Sequence, residues 1–194
     1  LSPDIVIGMK YLYRNMPYSD VGNYTFDTYL DYVQQGIYLW ENSPYVKNYP
    51  ELYFLNYVLF HRTNDEEIKP CRTYFWKKIK DKVQGKAMVE AALEINHWCA
   101  GEVMYQGTDM RTGSALEIYR SGVGRCGEEA VFVVNVMRSA GIPARPVYVP
   151  RWSHCDDNHA WVEVWCDGDW HYLGACEPEA VLDKGWFTNA ASRA

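Results

Sequence analysis

At 194 residues, with 48% apolar and 23% charged residues, the chain can bury a sizeable core as one generous domain, or as one domain with a helical extension. A net charge of −6 argues against nucleic acid or an anionic membrane surface as the main partner. The longest wholly apolar run, Ala130 to Val134, is far too short to span a bilayer.

Six cysteines (71, 99, 126, 155, 166 and 176) are scattered without a CxxC pair, so free thiols are expected, with disulfides reserved for an exported protein. The chain opens on Leu1 with no signal peptide. It therefore reads as a processed or truncated piece of something longer, with export to a periplasm or the exterior left open. The aromatic share of 15% predicts a thick core, with a sugar-compatible surface as the alternative.

Residues 1 to about 104 read as helices joined by short polar loops. Phe26, Tyr29, Leu30, Val33, Ile37 and Trp40 fall at helical spacing, and Asn42-Ser43-Pro44 ends that helix. Leu52, Leu55, Val58 and Leu59 predict a shorter helix, and Phe75, Ile79 and Val83 another. The best amphipathic stripe of the half runs from Met88 to Val103. Ser114-Ala115-Leu116-Glu117 has the capping-box spacing of a short helix ending near Arg120. With no linker in sight, the predicted organisation is a helical extension over 1–85 packed on a core over 86–194.

The stretch Gly122-Val123-Gly124-Arg125-Cys126-Gly127-Glu128-Glu129-Ala130 places a cysteine between glycines at the start of a helix, whose apolar face continues through Val133, Val134 and Met137 to Gly141. A thiol there sits at the positive end of the helix dipole, which favours thiolate. Glu128 and Glu129 would repel that thiolate, so a cationic partner is expected.

Beyond Gly141 the period changes from 3.6 to 2. Arg145–Val149, His159–Cys166 and Trp170–Glu177 read as strands, the last two joined through Asp167-Gly168-Asp169 and the last ended by Pro178. Helices followed by a strand meander make an α+β fold. If the turn has three residues, Cys166 pairs with Trp170 and His159 lies opposite Glu177, on one face. If the turn has two, His159 lies opposite Cys176 instead. In the first register an imidazole and a carboxylate join Cys126 as the parts of a thiol acyl-transfer site.

Three motifs carry a family resemblance: Gly124-Arg125-Cys126-Gly127-Glu128, then Arg138-Ser139-Ala140-Gly141-Ile142-Pro143-Ala144-Arg145, then His159-Ala160-Trp161-Val162-Glu163-Val164. In this order, over about Trp98 to Trp186, they resemble the core of the transglutaminase-like superfamily, with its transglutaminases, peptide N-glycanases and bacterial cysteine peptidases. The segment Asn158 to Trp186 also resembles transglutaminase-like proteins of gut-type Bacteroidetes. The resemblance implies a papain-like core with Cys126 as nucleophile and His159 as base. The family's third residue is usually Asp in an Asp-Pro step, and Glu177-Pro178 stands in that place.

Other readings of these residues are structural. Asp156 and Asp157 read as turn residues. Trp161, Trp165, Trp170 and Tyr172 alternate on the hairpin and read as core before sugar platform. His154, Cys155, His159 and Cys166 or Cys176 lack the spacing of a zinc site, so no metal or other cofactor is expected. The oxyanion of an acyl transfer would be met by the Cys126 backbone N–H, with Tyr105 or Trp98 as candidate second donor. The expected activity is cysteine-dependent acyl transfer on an amide of a peptide, protein or glycopeptide, most simply hydrolysis. The alternatives are protein crosslinking, deglycosylation of asparagine-linked sugars, and a catalytically silent module that binds peptide or glycan.

Overall fold

The computed structural model describes residues 2–193. Helix α1 (Pro3–Asn15) is capped by Ser2 and followed by α2 (Tyr18–Asn23) and α3 (Phe26–Asn42). A short α4 (Glu51–Phe54) runs straight into a π-helical turn at Leu55–Leu59. Then come α5 (Arg72–Val83) and α6 (Met88–Glu102). The capping box predicted at Ser114 is present: the Ser114 hydroxyl accepts from the Glu117 N–H, the Glu117 carboxylate accepts from the Ser114 N–H, and α7 spans Ala115–Ser121. Two-residue strands β1 (Met104–Tyr105) and β2 (Val123–Gly124) pair in parallel on either side of α7. Helix α8 (Cys126–Ser139) follows, then the antiparallel sheet β3 (Ala144–Val149), β4 (His159–Cys166), β5 (Asp169–Leu173), and last a short α9 (Thr188–Ala191).

Helix α8 is the centre of the molecule. From Glu128 to Ser139 every residue is buried, because helices α5, α6 and α7 cover one side and the Ala160, Val162, Val164 and Cys166 face of β4 covers the other. That encirclement is why an amphipathic stripe understates it. The polar side chains packed along the second half of α8 are tolerated inside because each finds a partner. The Arg72 guanidinium donates to Asn135 Oδ1 at 2.9 Å and to the carbonyls of Val58 and Phe60. Arg138 donates to the carbonyls of Ala144, Phe60 and Arg62 at 2.9–3.1 Å. Gln35 and Tyr49 donate to the carbonyls of Ser139 and Gly141. The helical half thus grips the C-terminal end of α8 directly, across a single continuous core.

The hairpin corrects the favoured register. Asp167 and Gly168 both have positive φ (53° and 97°) and form a two-residue turn that pairs Cys166 with Asp169. The returning strand then ends at Leu173, opposite Val162, well short of the predicted Glu177. Two residues account for the early end. Asn96 on α6, buried, donates to the Gly174 carbonyl at 2.9 Å and accepts the Cys176 N–H at 3.0 Å, pulling residues 174–177 into a turn with Cys176 at φ 58°. Gly174 allows that turn, since a Cβ there would lie 2.6 Å from Glu177 Oε2. Neither Glu177 nor Cys176 therefore lies across the ladder from His159, whose cross-strand partner is Val149.

Candidate active site

Cys126 is the first residue of α8, where the backbone N–H groups of Cys126 and Gly127 precede the first intrahelical bonds, made by Glu128 and Glu129 to the Arg125 carbonyl. Its side chain is half-buried. The surroundings of the other cysteines differ. Burial pushes the Cys71 and Cys166 thiols up to about 12 and raises those of Cys99 and Cys176, while Cys155 is exposed on a loop.

The two glutamates after Cys126 do not oppose a thiolate as the sequence predicts. Glu128 is turned back into the loop before α7, where its carboxylate accepts from the N–H groups of Arg125 and Gly113 and from the Thr108 hydroxyl, with the Arg125 guanidinium 3.4 Å away. Glu129 is 3% exposed, and burial together with the charge of Glu177 pushes its carboxyl up to about 8, so it carries a proton at neutral pH. One charge is compensated and the other absent. The dipole is left to act on Cys126 with less opposition than the sequence suggests.

His159 begins β4 and is 7% exposed. Its imidazole packs among Trp186 (ring centroids 4.6 Å apart), Phe187 (5.0 Å), Trp161 and Trp152, in a second, smaller apolar cluster. Burial lowers its pKa, with Asp157 acting weakly the other way, so the neutral ring is favoured. Its Nε2 is buried without a hydrogen-bond partner. No hydrogen bond joins His159 to Cys126 in this structure.

Glu177 arrives by a different route from the predicted one. Its carboxylate lies over Gly174 and accepts from the Trp186 indole N–H at 2.9 Å, while burial raises its pKa. Trp186 thus touches both His159 and Glu177, a link the sequence signalled only as one more aromatic. Tyr105, on β1, is 67% exposed and pairs with Gly124, which lies two residues before Cys126 in the chain. Trp98 stacks on Tyr119 and leans on Phe132, each at 6.0 Å. Of the hairpin aromatics Trp161 is buried, and Trp165, Trp170 and Tyr172 are half-buried. Trp161 and Tyr172 meet Phe187, and Trp165 and Trp170 meet Tyr53. Among the described residues no cluster of three His, Cys, Asp or Glu could hold a metal ion, and no helix is long and apolar enough to cross a membrane.

The model of the family described as "Transglutaminase-like superfamily" matches residues 77–175, about half of the chain, taking in Cys126 and His159 and ending two residues before Glu177. A solved structure named as a candidate cysteine protease from Cytophaga hutchinsonii is similar at 23% identity and a TM-score of 0.44, over 54% of this chain and 36% of that one. No curated protein matches the chain.

Proposed function

The chain belongs to the transglutaminase-like superfamily, and from that membership we propose that it is a cysteine-dependent acyl-transfer enzyme that hydrolyses amide bonds of peptides or proteins. The observation that carries the reading is Cys126 itself: a half-buried thiol on the first residue of α8, while Cys71, Cys99, Cys166 and Cys176 are held as neutral thiols by burial.

In the proposed reaction the Cys126 sulfur attacks the amide carbonyl carbon as its proton passes to the neutral imidazole of His159. The carbonyl oxygen takes the negative charge and is met by the Cys126 N–H, with the Tyr105 hydroxyl as second donor. Collapse breaks the C–N bond, and the imidazolium gives its proton to the leaving amine. Water, deprotonated by His159, then cleaves the thioester and restores the thiol. Glu177 is assigned the orienting role, acting on the imidazolium through its place beside Trp186. In the resting arrangement His159 Nε2 has no partner, which leaves it free to accept the thiol proton once the ring meets Cys126.

Iodoacetamide labelling read residue by residue tests the nucleophile. Cys126 should react at least about tenfold faster than the exposed Cys155, and His159→Ala should remove that advantage. Equal rates for Cys126 and Cys155 would sink the reading. Incubation of wild type and Cys126→Ser with a mixed peptide library, followed by mass spectrometry, then identifies the acceptor. Cleaved products appearing only with wild type support hydrolysis, whereas joined peptides would reassign the acceptor to an amine.

A further inference from the structure

The helical half carries an apolar groove that the proposed reaction does not use. It is bounded by α1, α3 and the stretch from α4 through the π-helical turn, and it encloses about 280 Å³. Each of the two long helices turns one regular stripe into it. Asp4, Ile7, Gly8 and Tyr11 on α1 are spaced i, i+3, i+4, i+7, and so are Val33, Gly36, Ile37 and Trp40 on α3. At 1.5 Å per residue such a stripe is about 10 Å long, two turns of helix. Two glycines set the close packing beneath it. A Cβ on Gly8 would lie 2.7 Å from Val33 Cγ1, and one on Gly36 would lie 2.6 Å from Leu59 Cδ1. The π-helical turn supplies Leu55 and Leu59 to the third side, and such turns are frequent at functional sites.

Apolar side chains at the groove are left in water. Ile7 is 66% exposed and Trp40 48%, although Trp40 also packs on Phe54 with ring centroids 5.0 Å apart. Grouped apolar surface with a polar rim marks an interaction site. Here the rim has one sign of charge. Asp4, Glu41 and Glu51 line the groove and are exposed, and no Lys or Arg lines it. None of these three carboxylates has an ion pair among the described residues. A groove between helices with apolar walls and an acidic rim is complementary to an amphipathic helix whose apolar face is flanked by Lys or Arg. We propose that it docks such a helix, about two to three turns long, from a partner protein. The partner's apolar side chains pack on Ile7, Ile37 and Trp40, and its basic ones meet the three carboxylates. A second copy of this chain fits worse, because a two-fold contact through the groove sets Asp4, Glu41 and Glu51 of each copy against those of the other. None of the lining residues belongs to the candidate active site, so docking and catalysis are separable.

The test uses the 194-residue chain and a fluorescein-labelled peptide of about 14 residues, with leucines along one helical face and lysines flanking them. One control peptide carries glutamates in place of the lysines, and another has the same composition with the leucines scattered around the helix. By fluorescence anisotropy the lysine peptide should bind at least about tenfold more tightly than either control, and less tightly as salt rises. Trp40→Ala should weaken it at least about tenfold, and Glu41→Lys combined with Glu51→Lys should turn the preference toward the glutamate peptide. If Trp40→Ala does not fold, Ile7→Glu, a change at an exposed side chain, takes its place. No binding of the lysine peptide up to about 1 mM, or equal binding of the lysine and scattered peptides, overturns the proposal. Binding that survives both Trp40→Ala and Ile7→Glu also overturns it, since the peptide is then held elsewhere on an acidic surface. A dimer seen in sedimentation and dissolved by Ile7→Glu would give the groove to a second copy and overturn the partner helix.

Discussion

Buried polar groups are satisfied at the C-terminal end of α8, and near its N-terminal end one is not. At its C-terminal end Arg72, Arg138, Asn135 and Gln35 are deeply buried and each is bonded, mostly to backbone carbonyls. Near its N-terminal end His159, on β4, has a buried ring nitrogen without a partner. Outside the site, the Nδ1 of His61 is the one similar case among the described residues, and its ring is still anchored through Nε2 to Asp20 at 2.8 Å. Satisfied groups hold the helix in place, while unsatisfied ones sit where protons are to be moved. The contrast predicts that changes at the rear cost stability, and changes at the front alter reactivity and its pH dependence.

The largest effect is expected at the rear. Arg72→Met leaves Val58 O without its donor and Asn135 Oδ1 with only the weak Cys71 thiol, both inside the core. Each orphaned acceptor costs about 1–3 kcal/mol, so urea unfolding should show a loss of about 3–5 kcal/mol. The iodoacetamide rate of Cys126 in the fraction that remains folded should stay within about twofold of wild type, since Arg72 touches nothing at the first turn. A large drop in that rate with little loss of stability would break the contrast.

The next effect is smaller and depends on pH. Because Glu129 is pushed up to about 8 in the folded chain, it keeps a proton over a range where the unfolded chain has already released it. The native state then binds more protons than the unfolded state, and stability falls as pH rises from about 4.5 to about 8. Glu129→Gln removes the titration. Its unfolding free energy should exceed that of wild type by an amount that grows from pH 5 to pH 8 and reaches about 2–3 kcal/mol, after allowing for solvent near the carboxyl. Parallel stability curves for the two proteins would mean that Glu129 titrates normally.

Much of this contrast was legible in the sequence, and what was not had non-local causes. The Ser114 capping box, the helix start at Cys126 and the His159–Cys166 strand depend on residues within a few positions of one another, and all three stand where the sequence puts them. The Asp167-Gly168 turn was readable in principle, since Asp-Gly favours a two-residue turn with both residues left-handed. The end of β5 was not, because Asn96, almost eighty positions away, pulls residues 174–176 out of the strand. Glu128 and Glu129 misled for a similar reason. As local sequence they are two charges beside a thiol, and only the packed loop turns one into a compensated anchor, and burial, with the charge of Glu177 added, turns the other into a protonated acid. The π-helical turn at Leu55–Leu59 carries no local mark either, although its Val58 carbonyl is one of the acceptors that hold Arg72.

The smallest effect tests whether Trp186 supports the site or merely covers it. The side chain is 65% exposed, yet its N–H reaches Glu177 and its ring lies on His159. Trp186→Phe keeps an aromatic face for the imidazole and removes the N–H. If that bond holds Glu177 for catalysis, its loss, worth about 1–1.5 kcal/mol, should slow Cys126 alkylation by roughly five- to tenfold and lower the unfolding midpoint by no more than a few degrees. The direction of the change carries the weight. A slower rate means that Glu177 must be held for His159 to work as a base, and the front of α8 extends through Trp186 to residue 177. A faster rate would mean that the indole shields an imidazole already able to reach the thiol. The unpaired Nε2 of His159 would then reflect a closed cover, and the orienting role would pass away from Glu177.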